Sequence, residues 1–309
     1  MSTPIKVAVF MSTYNGEKYL SEQIESILAQ EDVDVYLYVR DDGSTDHTKD
    51  IIKKYQRKSP NILFVAGKNL GVGNSFMTLL YSASPDFDYY AFSDQDDIWL
   101  KNKIVSAVQK LKNDSIPKLY CSNQILIDKF GNHIGIRYTN DPNVSCEQSF
   151  SINHITGCTM VWNQPLQLIL QDKKYRPSVQ LLNNRIHDVW VGVVAGLVGN
   201  VIYDSSSYIL YRQHENNVVG AKSDGPLETL ESQLKKLKDS KYRNGRSRIA
   251  TEVCDKFPEF VIRHPLIETA SKIKTLSGKI EIIKRESDFR SYTRESKFSF
   301  VLKVLFGFF

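Results

Sequence analysis

The four cysteines of this 309-residue chain (Cys121, Cys146, Cys158 and Cys254) never fall in C-x-x-C spacing. That fits reduced, mostly structural thiols in a cytosolic protein better than a zinc site or a disulfide framework. No signal peptide is expected: Met1-Ser2-Thr3-Pro4-Ile5-Lys6 leads straight into the apolar run Val7 to Met11, with no small-residue cleavage site. No window reaches the roughly 18 uncharged apolar residues of a spanning helix. Gly71-Val72-Gly73 lacks a third glycine in register, so it is not a dinucleotide fingerprint. There is no internal repeat, no low-complexity tract, and no basic recognition helix or stacking motif for nucleic acid. The first part of the chain is nearly balanced in charge. The net charge is +5, and more than all of it lies beyond Ala221. A basic tail of this kind meets something anionic, and a membrane face suits it better than nucleic acid.

What remains is the composition of an ordinary globular protein, 41% hydrophobic and 24% charged. In the first half, buried-strand patterns (6–11, 33–39, 62–66, 89–92) alternate with helical ones (17–30, 45–58, 74–83). Such alternation through short loops predicts a doubly wound, mostly parallel α/β sheet, with ligands beyond the carboxyl ends of its strands. Further on, 101–112 and 186–197 read as helices, 119–126 as extended and 201–211 as one or two strands. Tyr138 to Phe150 reads as a polar loop. Gly225-Pro226 breaks the chain ahead of Lys-rich helical segments.

The polar clusters fall at the strand ends. The sharpest is Asp94-Gln95-Asp96-Asp97, where alternation sends Asp94 and Asp96 to one side. Carboxylates so close raise each other's pKa unless a cation sits between them, and a hard divalent ion would relieve the repulsion. Alone, such a cluster reads equally as a solvated turn or a helix cap. The Asp41-Asp42-Gly43-Ser44 loop closes one strand and opens a helix. A carboxylate there can accept the N3–H of a pyrimidine, or serve a plain capping turn. Thr13-Tyr14-Asn15-Gly16-Glu17 and Asn69-Leu70-Gly71 complete four loops on one rim.

The order of Ser12-Thr13-Tyr14-Asn15, Asp41-Asp42-Gly43-Ser44, Asn69-Leu70-Gly71 and Ser93-Asp94-Gln95-Asp96-Asp97 resembles family 2 glycosyltransferases of the GT-A fold, over about residues 5–220. Ser93 to Trp99, His187-Asp188-Val189-Trp190 and Tyr211 to Gly220 look like the bacterial rhamnosyltransferase branch. The resemblance implies a Rossmann-like nucleotide-binding half in a catalytic domain over 1–221, and a basic, mainly helical extension over 222–309. Thr13, Tyr14 and Glu17 would line the nucleoside pocket together with Asn69 and Gly71, and Asp42 would read the pyrimidine. Asp94 and Asp96 would hold Mn2+ or Mg2+ on the diphosphate, with His214 as a further metal or phosphate contact. Asp188 matches the catalytic base, preceded by His187 where many relatives have Glu. Gly157, in His154 to Met160, would floor the sugar pocket.

The implied reaction is inverting transfer of a sugar, L-rhamnose from dTDP-rhamnose or a hexose from a UDP-sugar. The acceptor would be a cell-surface polysaccharide or a lipid-linked oligosaccharide. One carboxylate takes the acceptor proton and a cation steadies the leaving diphosphate. A sugar nucleotidyltransferase is disfavoured, because the loop after the first strand carries no glycine-rich Lys/Arg pattern. An inactive scaffold is disfavoured because Asp94, Asp96 and Asp188 are all present. The apolar end, Lys297 to Phe309, reads either as a peripheral anchor at the inner face of the plasma membrane or as a helix docked on the domain or on another chain. A homo-oligomer is compatible with it.

Overall fold

The computed structural model describes residues 4–112, 115–183, 187–215, 245–293 and 295–309. In order, the first half runs β1 (Ile5–Thr13), α1 (Leu20–Leu28), β2 (Val33–Asp41), α2 (Thr48–Gln56), β3 (Ile62–Ala66), α3 (Val72–Ser82), β4 (Tyr89–Ser93), β5 (Ile98–Trp99) and α4 (Lys103–Leu111). Then follow β6 (Lys118–Ile127), β7 (His133–Ile136), α5 (Cys146–Ser151), β8 (Val161–Asn163), α6 (Gln164–Gln171), α7 (Val179–Leu182), α8 (His187–Val198) and β9 (Asn200–Arg212). The strands form one mixed sheet in the order β3-β2-β1-β4-β8-β6-β9-β5, with β7 on β6.

Val7 to Met11 is wholly buried, as a central strand covered on both faces must be. Alternation divides it between two cores. Val7, Val9 and Met11 meet Leu20, Ile24 and Ile27 of α1 and Ile104 of α4. Ala8 and Phe10 meet Phe76 of α3, Trp162 of β8 and Trp190 of α8. The pairing of β1 with β2 and β4 is parallel, with Thr13 opposite Asp41 and Met11 opposite Ser93; Asp41 in turn lies opposite Ala66 of β3. That register brings the four polar loops to one rim. Beyond β4 the sheet reverses: β8 runs antiparallel to β4 and β6, while β9 is parallel to β6 and brings Leu210 opposite Ile98.

Several elements depart from the sequence reading. The polar stretch 138–150 ends in the helix α5, capped by Ser145 accepting the Gln148 amide, with Cys146 and Phe150 buried. Its six residues are too few to show a period. β8 and α6 were not expected, because a three-residue strand running into a proline-started helix carries no alternation. The helix expected from Thr45 starts at Thr48, because the Asp46 carboxylate accepts the Thr48 amide and turns the chain first. Gly225-Pro226 and the boundary at 221/222 lie outside the described residues.

The C-terminal helices are docked. Ile249, Val253, Phe257, Ile267 and Ile282 belong to the same buried cluster as Phe10 and Trp162. At the end of the chain, helix Lys297–Phe306 buries Phe300 and Val304, and Phe309 folds back under it. The Phe300 ring lies 5.8 Å from Phe289 and 5.4 Å from Phe309. Phe300→Ala should therefore cost about 3–5 kcal/mol in urea unfolding. A loss below about 1 kcal/mol would mean that the tail adds little to the fold. No described helix is long and apolar enough to cross a membrane.

Candidate active site

At the mouth of β1 and β2 the side chains are committed to one another. Asp41 accepts the Gly43 amide (3.2 Å) and Ser44 amide (3.0 Å), the Ser44 hydroxyl, and the Thr13 hydroxyl at 3.3 Å. Gly43 has φ 89, which a side chain would strain. Asp42 is buried on the Arg40 guanidinium and accepts the Leu70 amide at 2.8 Å and the Gly71 amide at 2.9 Å. It holds the Asn69-Leu70-Gly71 turn in place, and its Oδ2 keeps one acceptor direction. Arg40 is further held by Ser75 and the Lys68 carbonyl. Glu17 accepts the His47 amide at 2.9 Å and so steadies the start of α2.

Gln95 clamps the acidic loop to β1: its side chain accepts the Tyr14 amide (2.9 Å) and donates to the Tyr14 carbonyl (3.1 Å). A Cβ on Gly16 would fall 2.3 Å from the Gln95 Oε1, so only glycine admits the clamp. Beyond it, the Asp96 carboxylate meets His214 Nε2 at 2.9 Å. Arg212 ties the whole corner together. Its amide donates to Asp97 (3.0 Å), its Nε to the Asp96 carbonyl (2.9 Å), and its guanidinium pairs with Glu22 and lies over the Tyr19 ring. Behind the corner, ligand atoms of Asp94, Asp97 and Cys158 lie within 4.8 Å of one another. Burial first, then neighbouring charge (Asp96 on both, Asp188 on Asp94), pushes the carboxyls of Asp94 and Asp97 above the usual range. Beneath them Lys103 is wholly buried with its ammonium 3.7 Å from the Trp99 ring centre, and burial lowers its pKa to about 7.

Asp188 opens α8. Its carboxylate accepts its neighbour's amide (Val189, 2.8 Å) and the Asn153 side chain (3.3 Å). Burial outweighs these donors and the Arg137 charge, raising its pKa to about 6. Asp188 can thus exchange a proton near neutrality, and the neighbouring acidic corner, where Asp94 is raised further to about 7, is suited to a cation.

Comparison with known proteins names the machinery. The family model of glycosyl transferase family 2 matches residues 8–146. The dTDP-rhamnosyl transferase RfbG of Shigella flexneri is 32% identical over 266 residues, covering 79% of this chain and 85% of the relative. The chain is a family 2 glycosyltransferase. Chondroitin synthase of Escherichia coli is 29% identical over 133 residues, 43% of this chain and 19% of that protein. The GT-A fold is shared with the crystal structure of S. aureus TarS 1–349 in complex with UDP, at TM-score 0.51 and 18% identity over 94% of this chain and 81% of that one.

Within this glycosyltransferase, Tyr14 and Asn69 are exposed and Gly71 is half-buried at the strand ends; Tyr14 meets the acidic loop through Gln95, and Gly71 is held by Asp42. The Thr13 side chain has no exposed surface and donates to Asp41 from behind the rim. Glu17, exposed, spends its carboxylate on α2. Gly157 is buried under His187 and Asp188. Arg212, two residues before His214, is a site residue that the sequence does not single out; its bonds to Glu22, Asp96 and Asp97 form only in the folded chain. For Lys103 and Asn153 no local pattern existed.

Proposed function

We propose that this glycosyltransferase moves L-rhamnose, with inversion, from dTDP-rhamnose onto a cell-surface polysaccharide or its lipid-linked precursor, and that Asp188 is its base. The observation that carries the donor assignment is the likeness to a dTDP-rhamnosyl transferase over most of both chains. The half-buried carboxylate with its pKa raised to about 6 supports the role of Asp188. Asp188 withdraws the proton as the acceptor oxygen attacks the anomeric carbon, and Asn153 holds its carboxylate for that attack. Asp42 receives the pyrimidine through its remaining acceptor direction, in a loop it already orders.

The acidic corner fits a divalent cation. Asp97 Oδ2 is buried without a partner, and the Asp94 carboxyl is destabilised as an anion by burial and by its neighbours. Mn2+ or Mg2+ would be held by Asp94, Asp96 and His214, and when bound would offset charge on the departing nucleoside diphosphate. Transfer is tested with labelled dTDP-rhamnose and a membrane extract. Label entering the lipid-linked fraction supports the reading, and no label leaving the nucleotide contradicts it.

The same proposal places the protein peripherally at the inner face of the plasma membrane. The support is the outer face of helix Lys297–Phe306, where Phe298 is 74% and Phe306 67% exposed, with Leu302 and Leu305 between them. Phe298→Ser combined with Phe306→Ser should release the protein from anionic vesicles in a flotation assay while the fold holds. Unchanged flotation would place the contact elsewhere.

A further inference from the structure

A cavity of about 560 Å³ opens between α7 and the C-terminal helices, and none of the rim residues lines it. Its walls come from Gln180 and Leu181 of α7, Arg248 and Thr251 of helix Gly245–Lys256, and Ile273 and Lys274 of the turn Lys272–Lys274. Leu181 and Ile273 are buried and give it an apolar base, while Arg248 and Lys274 are exposed. Lys274 has no ion pair among the described residues. The lining carboxylate, Glu252, accepts the Ser178 amide at 2.7 Å and the Ser178 hydroxyl, which fixes the start of α7. The volume suits a ligand of ordinary size, since such sites run from about 300 to 1,000 Å³. Among the described residues no aromatic side chain lines the cavity, so it offers a nucleobase no stacking platform. An apolar base with two cations fits an amphiphile with an anionic head.

The elements on either side say which amphiphile. Two residues beyond Lys274, helix Leu276–Lys284 begins, with Leu276 and Ile280 exposed one turn apart. Lys279 Nζ donates to the Leu305 carbonyl at 2.9 Å, which ties this helix to the final one and its exposed Phe306. The cavity wall thus leads into the apolar surface assigned above to the membrane. On the other side, Asn183 follows α7 and accepts the Asn74 side-chain amide at 2.7 Å. Asn74 lies in α3, which begins at the Gly71 turn held by Asp42. Five residues separate Asn183 from Asp188, so the base lies within about 18 Å of that end of α7. A short saccharide on a phosphate covers such a distance. We propose that the cavity binds the lipid phosphate of the acceptor, with the phosphate on Arg248 and Lys274 and the start of the chain over Leu181 and Ile273. The rest of the chain stays in the bilayer. This inference rests on the acceptor reading above and selects its lipid-linked form.

The test is calorimetric binding of farnesyl phosphate, kept below its micelle concentration, to the full chain, with farnesol and inorganic phosphate as comparisons. Farnesyl phosphate should bind about tenfold or more tighter than either. Arg248→Glu combined with Lys274→Glu should weaken it by a similar factor and leave the affinity for dTDP-rhamnose unchanged. Gln180→Trp, which fills the cavity from an exposed position and keeps both cations, should weaken it as well. Phe298→Ser combined with Phe306→Ser should retain it. Equal binding of farnesol or of inorganic phosphate, no binding of farnesyl phosphate, or affinity unchanged in the charge-reversed and filled variants overturns the inference. So does loss of binding in the Phe298/Phe306 variant, which would put the chain on the outer face, or a parallel loss of donor affinity in the charge-reversed one. With labelled dTDP-rhamnose and a membrane extract, the charge-reversed variant should label the lipid-linked fraction about tenfold more slowly, and an unchanged rate overturns the assignment to the acceptor. A wild type that binds farnesyl phosphate yet labels no lipid-linked fraction contradicts the acceptor reading instead.

Discussion

Asp188→Asn should lower kcat by about 10²–10⁴-fold while donor binding stays within a factor of about two. The amide keeps the shape at the start of α8 and can still accept from Val189, but it cannot take a proton. The pH profile of the wild type follows from the same group. Burial raises the Asp188 pKa to about 6, so the protonated, inactive form accumulates below that value. Log kcat/KM should therefore fall with unit slope as pH drops through about 6, roughly tenfold per unit. A raised carboxyl also means that the folded state holds the proton more tightly than the unfolded chain. Its ionisation accordingly works against folding above about pH 6, and Asp188→Asn should melt no lower than the parent at pH 7. Residual turnover above a tenth of the wild type would remove Asp188 from the chemistry.

The second large effect is expected at the acidic corner. Asp96→Ala removes the carboxylate that meets His214 and stands beside Asp94 and Asp97. Mn2+ affinity, read from the signal of free Mn2+ by electron paramagnetic resonance, should weaken by more than the roughly 10–100-fold typical of losing an outer partner. Donor affinity in the presence of metal should drop to its value in EDTA. The fold should survive, because Arg212 reaches Asp96 only through its backbone carbonyl and keeps its bonds to Asp97 and Glu22. Unchanged Mn2+ affinity would move the cation to Asp94, Asp97 and Cys158, whose ligand atoms already converge.

The parallel half of the sheet was legible because its strands are buried on both faces and read as unbroken apolar runs, as in Val7 to Met11 and Tyr89 to Phe92. Strand ends then located the rim, and with it Tyr14, Asp42, Asp94 and Asp96. The antiparallel half was harder. β8 has three residues and α5 has six, too short for either period to register. Within the site, residue type announced which groups are chemical but not which are already engaged. Thr13 and Asp41 are bonded across 28 positions, Asp42 and Gly71 across 29, and Asp96 and His214 across 118. Such pairings exist only after the sheet assembles. Lys103 illustrates the same limit: on an amphipathic helix it reads as a surface lysine, yet it is wholly buried over Trp99.

The most direct test of the central claim is calorimetric binding of dTDP-rhamnose against UDP-glucose, UDP-galactose and UDP-N-acetylglucosamine, each with Mn2+ and with EDTA. Tightest binding of dTDP-rhamnose, lost in EDTA, is the predicted result; tighter binding of a UDP-sugar, or affinity indifferent to the metal, would contradict it.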